Sequence, residues 1–178
     1  MNPLDIIRKY CPEGSEAYPI LIAHSRLVAD KALEIARQHP EMNLDLPFIE
    51  EAAMLHDIGV VACDAPEIGC HGSEPYIRHG ILGAEMLRRE GLERHARVCE
   101  RHTGSGITRA MIEEQHLPLP LQDLVPETLE EKLVCLADKY YSKSHPDREK
   151  SLEKIRKSMK KYGDDAVRRL DELCEIFL

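Results

Sequence analysis

The chain has 178 residues, a length that favours one domain with a substantial core. Its 24 Lys and Arg against 32 Asp and Glu give a net charge of −8, which argues against a generally basic nucleic-acid-binding surface while leaving room for a local basic patch. Hydrophobic residues at 43% and charged residues at 31% are a globular balance, and no apolar run is long enough to span a bilayer.

The periodicity is helical almost throughout, with no sustained alternation that would indicate a strand. The opening Met1-Asn2-Pro3-Leu4-Asp5 has no basic stretch leading into an apolar one, so no secretion signal is expected and the protein reads as cytoplasmic. A short helix is predicted over Leu4 to Tyr10. Ser15 is a candidate N-cap for a long helix to Gln38, and Asp45 opens another that runs to about Gly59. The irregular segment from Cys63 to Pro75 contains Pro66, Gly69, Gly72 and Pro75, the composition of a functional loop. Helices are predicted again over Tyr76 to Arg89, Glu93 to His102, Thr108 to His116, Glu127 to Lys143, Asp147 to Tyr162 and Asp164 to Ile176. The six cysteines are scattered with no Cys-x-x-Cys pair and read as reduced thiols, Cys99 and Cys135 serving as small core residues. One all-α domain over residues 1–178 is expected, its core over about 15–144 with the C-terminal helices 147–178 packed on it.

Certain polar residues fall on apolar helix faces. His24 lies along the stripe of Ile20, Leu27, Val28 and Ile35, and His56 along that of Ile49, Ala52, Ala53 and Val60, with Asp57 beside it. His79 shares a face with Leu82, Gly83 and Met86. His102 follows Val98 and Cys99 by four and three positions, and Asp138 follows Val134 and Cys135 in the same way. Any one of the histidines taken alone is better explained as a satisfied core residue. A carboxylate in an apolar core is costly unless it is paired or binds a cation, and no Lys or Arg is evidently aimed at Asp57. Convergence on metal accounts for all six. Imidazole and carboxylate together suit Fe, Mn, Co, Ni or Zn, and the set is larger than one tetrahedral ion needs, so a pair of ions about 3.5–4 Å apart uses it better.

The order His24, His56-Asp57, Asp138 resembles the signature of the HD superfamily of metal-dependent phosphohydrolases, with His56-Asp57-Ile58-Gly59 spelling its HDIG form. His79 and His102 match the two further histidines of its binuclear members. The resemblance extends from about His24 to Lys139. It implies an all-helical bundle around a buried binuclear site. His24, His56, Asp57 and Asp138 would hold one metal, and Asp57, His79 and His102 the other, with Asp57 bridging and positioning a metal-bound water. Two divalent or redox-active transition metals are implied, Fe or Mn first, with Co, Ni and Zn as alternatives. The implied activity is hydrolysis of a small phosphate ester, a nucleotide being the first class to test, by metal-activated water.

Some binuclear members carry a Lys shortly after HDIG, where this chain has Val60 and Val61; that sets their cyclic-dinucleotide activity apart from this protein. Phosphate could instead meet Arg78, Arg101 or Lys139, each next to a ligand candidate, although a neighbour on a helix is turned by about 100° and a solvated position is the simpler reading for all three. His71 and Asp64 in the irregular segment are further substrate-contact candidates. From Lys143 to Lys161 there are eight Lys and Arg against three Asp and Glu, read as a solvated basic helix face rather than a steering surface. A small phosphorylated molecule is the partner expected, without membrane or nucleic acid; a homo-oligomer is left open. Two alternatives share the pattern. One is an HD-type di-iron oxygenase with the same ligand set; the other is a non-catalytic regulatory HD module, ranked last because every ligand is present.

Overall fold

A computed structural model describes residues 1–178. Nine α-helices follow one another: α1 (Pro3–Tyr10), α2 (Ala17–Arg37), α3 (Leu46–Leu55), α4 (His79–Arg89), α5 (Glu93–Arg101), α6 (Arg109–Gln115), α7 (Leu129–Asp138), α8 (Leu152–Met159) and α9 (Asp164–Phe177). The sheet content is a two-residue pair, β1 (Asp64–Ala65) against β2 (Cys70–His71), which staples the irregular segment after α3. The all-α expectation is met. No helix is long and apolar enough to cross a membrane.

Helix α2 is the central rod. It packs on α3 and α7, while α4 lies along α5 and against the 3-10 turn Ile58–Ala62. The buried face of α2 runs through Leu21, His24, Ser25, Val28, Ala29 and Ala32, slightly rotated from the stripe expected through Ile20 and Leu27, which are half-buried. Alanines at 29, 32, 52 and 53 are fully buried, and side chains this small let α2 and α3 approach closely. Ile155, Leu170, Leu173 and Phe177 from the two C-terminal helices belong to the same apolar cluster as α2 and α3. Burial of each such side chain is worth about 1.5–3 kcal/mol, enough to hold α9 on the body.

Several helix boundaries differ from the sequence reading, each for a local reason. Ser15 does not cap α2; its hydroxyl donates to the Pro12 carbonyl at 2.6 Å, and the helix begins at Ala17. Asp45, Thr108, Thr128 and Ser151 do cap, each accepting from a backbone N–H three residues on. Helix α3 stops at Leu55, and the chain turns through His56 and Asp57 into the 3-10 turn. Helix α7 ends at Asp138, five residues before the expected Lys143, and α8 starts only at Leu152. Between them Pro146 lacks an N–H and biases His145 away from helical backbone, so residues 139–151 form an irregular arm.

Gly59 shows why the turn after Asp57 needs a glycine. A Cβ there would lie 1.9 Å from the His79 carbonyl oxygen and 2.4 Å from the Gly83 nitrogen. The backbone of the 3-10 turn therefore rests directly on α4, and this close approach brings His79 up to Asp57.

Candidate metal centre

Five of the six sequence-predicted ligands sit at helix ends or in the turn beside one. His56 and Asp57 follow the last residue of α3, His79 opens α4, His102 follows the end of α5 and Asp138 closes α7. His24 alone lies mid-helix, on α2. The ends meet at one place. Ligand atoms of His24, His56, Asp57 and Asp138 all lie within 4.8 Å of one another, as do those of Asp57, His79 and His102. The four imidazoles and Asp57 are buried, and Asp138 is nearly so.

The two oxygens of Asp57 are divided between the two histidine pairs. Its Oδ2 is 3.2 Å from His24 Nε2 and 3.1 Å from His56 Nε2. Its Oδ1 is 3.4 Å from His79 Nε2 and 3.2 Å from His102 Nε2. Asp138 Oδ1 completes the first group at 2.9 Å from His24 Nε2 and 3.2 Å from His56 Nε2. One carboxylate thus faces both halves.

The tautomers are set from behind. The Nδ1–H groups of His56, His79 and His102 each donate to the carbonyl three residues back, of Ala53, Tyr76 and Cys99, all at 2.6 Å. That leaves each Nε2 as an inward lone pair, the form in which imidazole binds a metal. His79 Nε2 and His102 Nε2 then face each other at 3.0 Å. Both Asp57 oxygens are buried; the Lys143 ammonium reaches Oδ2 at 2.7 Å, a cation the sequence did not show aimed at Asp57, while Oδ1 has no hydrogen-bond donor. Opposed lone pairs on His79 and His102 beside a buried carboxylate oxygen with no donor are costly unless a cation lies among them, so the donor set fits metal.

The titration behaviour divides the cluster, His56 holding a proton between the two carboxylates that an incoming metal would displace and His102 staying neutral. Burial would lower His56, but the charge of Asp57 and hydrogen bonds to Asp138 and Asp57 push it up to about 10. Burial holds His102 down at about 4, as neutral imidazole. Burial alone would raise Asp57 and Asp138; the charges of His56 and Lys143 around the first and of Lys139 beside the second hold both well below the carboxylate range.

Two lysines reach the cluster. Lys139 Nζ donates to Asp138 Oδ2 at 2.7 Å and to the His102 carbonyl at 3.1 Å. Lys143 Nζ lies 2.7 Å from Asp57 Oδ2 and donates to the Tyr76 hydroxyl at 2.9 Å. The Tyr76 ring stacks on His79, centroids 4.6 Å apart. A cavity of about 340 Å³ opens from this point, with His24, His79, His102 and Asp138 on its floor. Lys143 and Tyr76 are contacts the sequence did not single out. Lys143 reads as the last residue of a helix, and only the early end of α7 turns it inward.

Of the substrate-contact candidates, Lys139 lines the cavity. The other four do not. Arg101 Nη1 is bound to Glu131 Oε2 at 3.0 Å, Arg78 Nη1 donates to the Pro118 carbonyl at 3.1 Å, and His71 Nε2 is 3.4 Å from Glu16 Oε2. Asp64 is exposed on β1. Cys99 and Cys135 are more than core filler: the Cys99 thiol donates to the His56 carbonyl at 2.9 Å, and the Cys135 thiol to the carbonyls of His102 and Gly104 at 3.6 and 3.4 Å.

Residues 21–143 match the HD domain family. The chain is 33% identical over 172 residues to a tRNA (cytidine(56)-2'-O)-methyltransferase of Thermoplasma volcanium, covering 96% of this chain and 44% of that protein. It is 35% identical to the protein of the same name in Picrophilus torridus, covering 94% and 47%. It is 36% identical to an uncharacterized protein of Methanocaldococcus jannaschii, covering 76% and 70%. The chain thus spans about half the length of the two methyltransferases it resembles. No solved structure matches it. With its residues 21–143 matched and its inward His and Asp residues gathered at one point, the chain belongs to the HD domain family.

Proposed function

We propose that this protein is a metal-dependent phosphohydrolase acting on a phosphate ester of a nucleotide. The observation that carries this is the division of the Asp57 oxygens between two histidine groups beneath a lysine-walled cavity. His24, His56, Asp57 and Asp138 would hold one divalent ion and Asp57, His79 and His102 a second. Ions bound there supply a water acidic enough to attack at neutral pH and positive charge for the phosphoryl oxygens.

The chain's own residues do the rest. Asp57 joins the two groups and fixes their separation. The backbone carbonyls behind His56, His79 and His102 keep each ring from turning. Lys139 and Lys143, with their ammonium groups at the edge of the cluster, bind and orient the phosphoryl oxygens of the substrate. Tyr76 holds Lys143 in reach. Iron or manganese suits this mixture of imidazole and carboxylate.

The methyltransferase name belongs to proteins about twice this length, and methyl transfer calls for none of the ligand atoms gathered here. What the name brings is RNA as a setting in which the phosphate ester could occur. The test is metal analysis of anaerobically purified protein followed by phosphate release from p-nitrophenyl phosphate, mononucleotides and oligonucleotides bearing a terminal phosphate. Phosphate release without oxygen, lost on chelation, supports the reading. Turnover only with iron and oxygen would assign the oxygenase chemistry instead, and bound metal without any turnover the regulatory role.

A further inference from the structure

The charge balance of the surface is uneven in a way that the ligand cluster does not require. Away from the cavity most arginines are paired with carboxylates, among them Arg26 with Glu50, Arg88 with Glu93 and Glu100, Arg97 and Arg101 with Glu131, and Arg156 with Asp171. Around the arm of residues 139–151 the pattern stops. Arg148, Lys150, Lys154 and Lys161 have no carboxylate within ion-pair distance, in a protein whose net charge is −8.

These unpaired cations follow a track. Lys150 and Lys161 line the cavity over the ligand cluster. A second hollow of about 320 Å³ shares Ser142, Lys150 and Ser158 with it and continues to Arg148 and Lys154. Its one acid, Glu149, is already engaged by Lys31. Each hollow is by itself the size of a small-ligand pocket, and the second carries the cations on beyond the one over the ligand cluster. Tyr76, Tyr141 and Tyr162 stand on the wall of the first. A basic groove with aromatic faces is the arrangement that follows a single-stranded backbone while bases stack. The basic residues between Lys143 and Lys161, read from sequence as a solvated face, therefore include the walls of the groove.

We propose that this groove binds the end of a single-stranded nucleic acid, with backbone phosphates along Lys150, Arg148 and Lys154 and the terminal phosphate ester at the ligand cluster. This rests on the hydrolase reading for the chemistry at the end of the strand and on the groove for the binding. Self-repulsion among the unpaired cations is relieved by a polyanion, and release of its counterions adds to affinity.

The test uses the full chain and a fluorescent, terminally phosphorylated single strand of about ten nucleotides, within the range such grooves accommodate. Anisotropy titrations at several salt concentrations are run on the native protein and on the double variant Arg148→Glu, Lys154→Glu, with circular dichroism to confirm that both fold. Binding weakened about tenfold in the variant at low salt, with a salt slope shallower by about 1 per phosphate no longer neutralised, supports the proposal. No binding by the native protein, equal binding by the variant, or a nucleoside triphosphate that competes as strongly as a strand would overturn it. The two readings fail separately. Release of phosphate from a small ester without strand binding rejects the groove alone, and strand binding without release from any ester rejects the hydrolase alone.

Discussion

His79 Nε2 and His102 Nε2 stand 3.0 Å apart with both Nδ1 protons committed to backbone carbonyls, so two lone pairs point at each other inside the protein. A divalent ion held by both rings would replace that repulsion with two bonds. The first prediction is therefore stoichiometric. His79→Ala and His102→Ala each lower the metal content from two ions per chain towards one, because the group of His24, His56, Asp57 and Asp138 survives either change. Elemental analysis of the purified variants reads this directly. Content unchanged in both variants would reject the second ion.

The residues of the candidate metal cluster are legible in the sequence because each stands on an apolar helix face or beside a helix end. Spacing from Val98 and Cys99 to His102, or from Val134 and Cys135 to Asp138, carries that information locally. What was not legible depends on helix ends. Lys143 meets Asp57 only because α7 stops at Asp138, and no cap or glycine marks that stop. Arg101 and Lys139 are each adjacent in sequence to a candidate ligand, the first before His102 and the second after Asp138, yet Arg101 turns to the buried Glu131 and Lys139 to the cavity. Glu131 decides the difference, and it lies 30 residues away in sequence.

Cys99 carries the second prediction. Its thiol is fully buried, which holds its pKa well above the usual value and keeps it a donor to the His56 carbonyl. Cys99→Ala leaves that buried acceptor unpaired and should destabilise the protein by about 1–3 kcal/mol. Denaturant unfolding gives the number. Because the bond fixes the backbone at His56, metal affinity should fall as well, whereas a purely packing role would change stability and leave affinity alone.

Gly59 gives a sharper separation of folding from site geometry. The Cβ of Gly59→Ala would meet backbone atoms of His79 and Gly83, neither of which can swing aside like a side chain. The turn and α4 must part, at a cost of about 3 kcal/mol, the upper part of the overpacking range. The parting moves His79 away from Asp57, so the folded fraction of the variant should lose the second ion first. Thermal unfolding with parallel metal analysis tests both parts; a variant of native stability and full metal content would show that the close approach is not needed.

The last prediction concerns pH and the turn that follows α2. His39 donates from Nε2 to the Phe177 carbonyl at 2.7 Å and from Nδ1 to Glu41 at 3.0 Å, a pairing that only the doubly protonated ring can make. The Phe177 carbonyl and Glu41 therefore raise its pKa above the usual value, while Glu41 is lowered in turn by its own backbone N–H and by His39. A histidine raised in the folded state adds stability that is fully present below its unfolded pKa of about 6.5 and is lost as pH climbs through the folded value. His95 has the opposite sign, since burial lowers it and its contribution fades as pH falls. The His39→Ala variant should accordingly melt below the native protein in mildly acidic buffer, with the two melting temperatures converging in alkaline buffer. Release of the C-terminal end of α9, seen by hydrogen exchange, should follow the same pH dependence, and a gap in melting temperature that widens with pH would contradict the assignment.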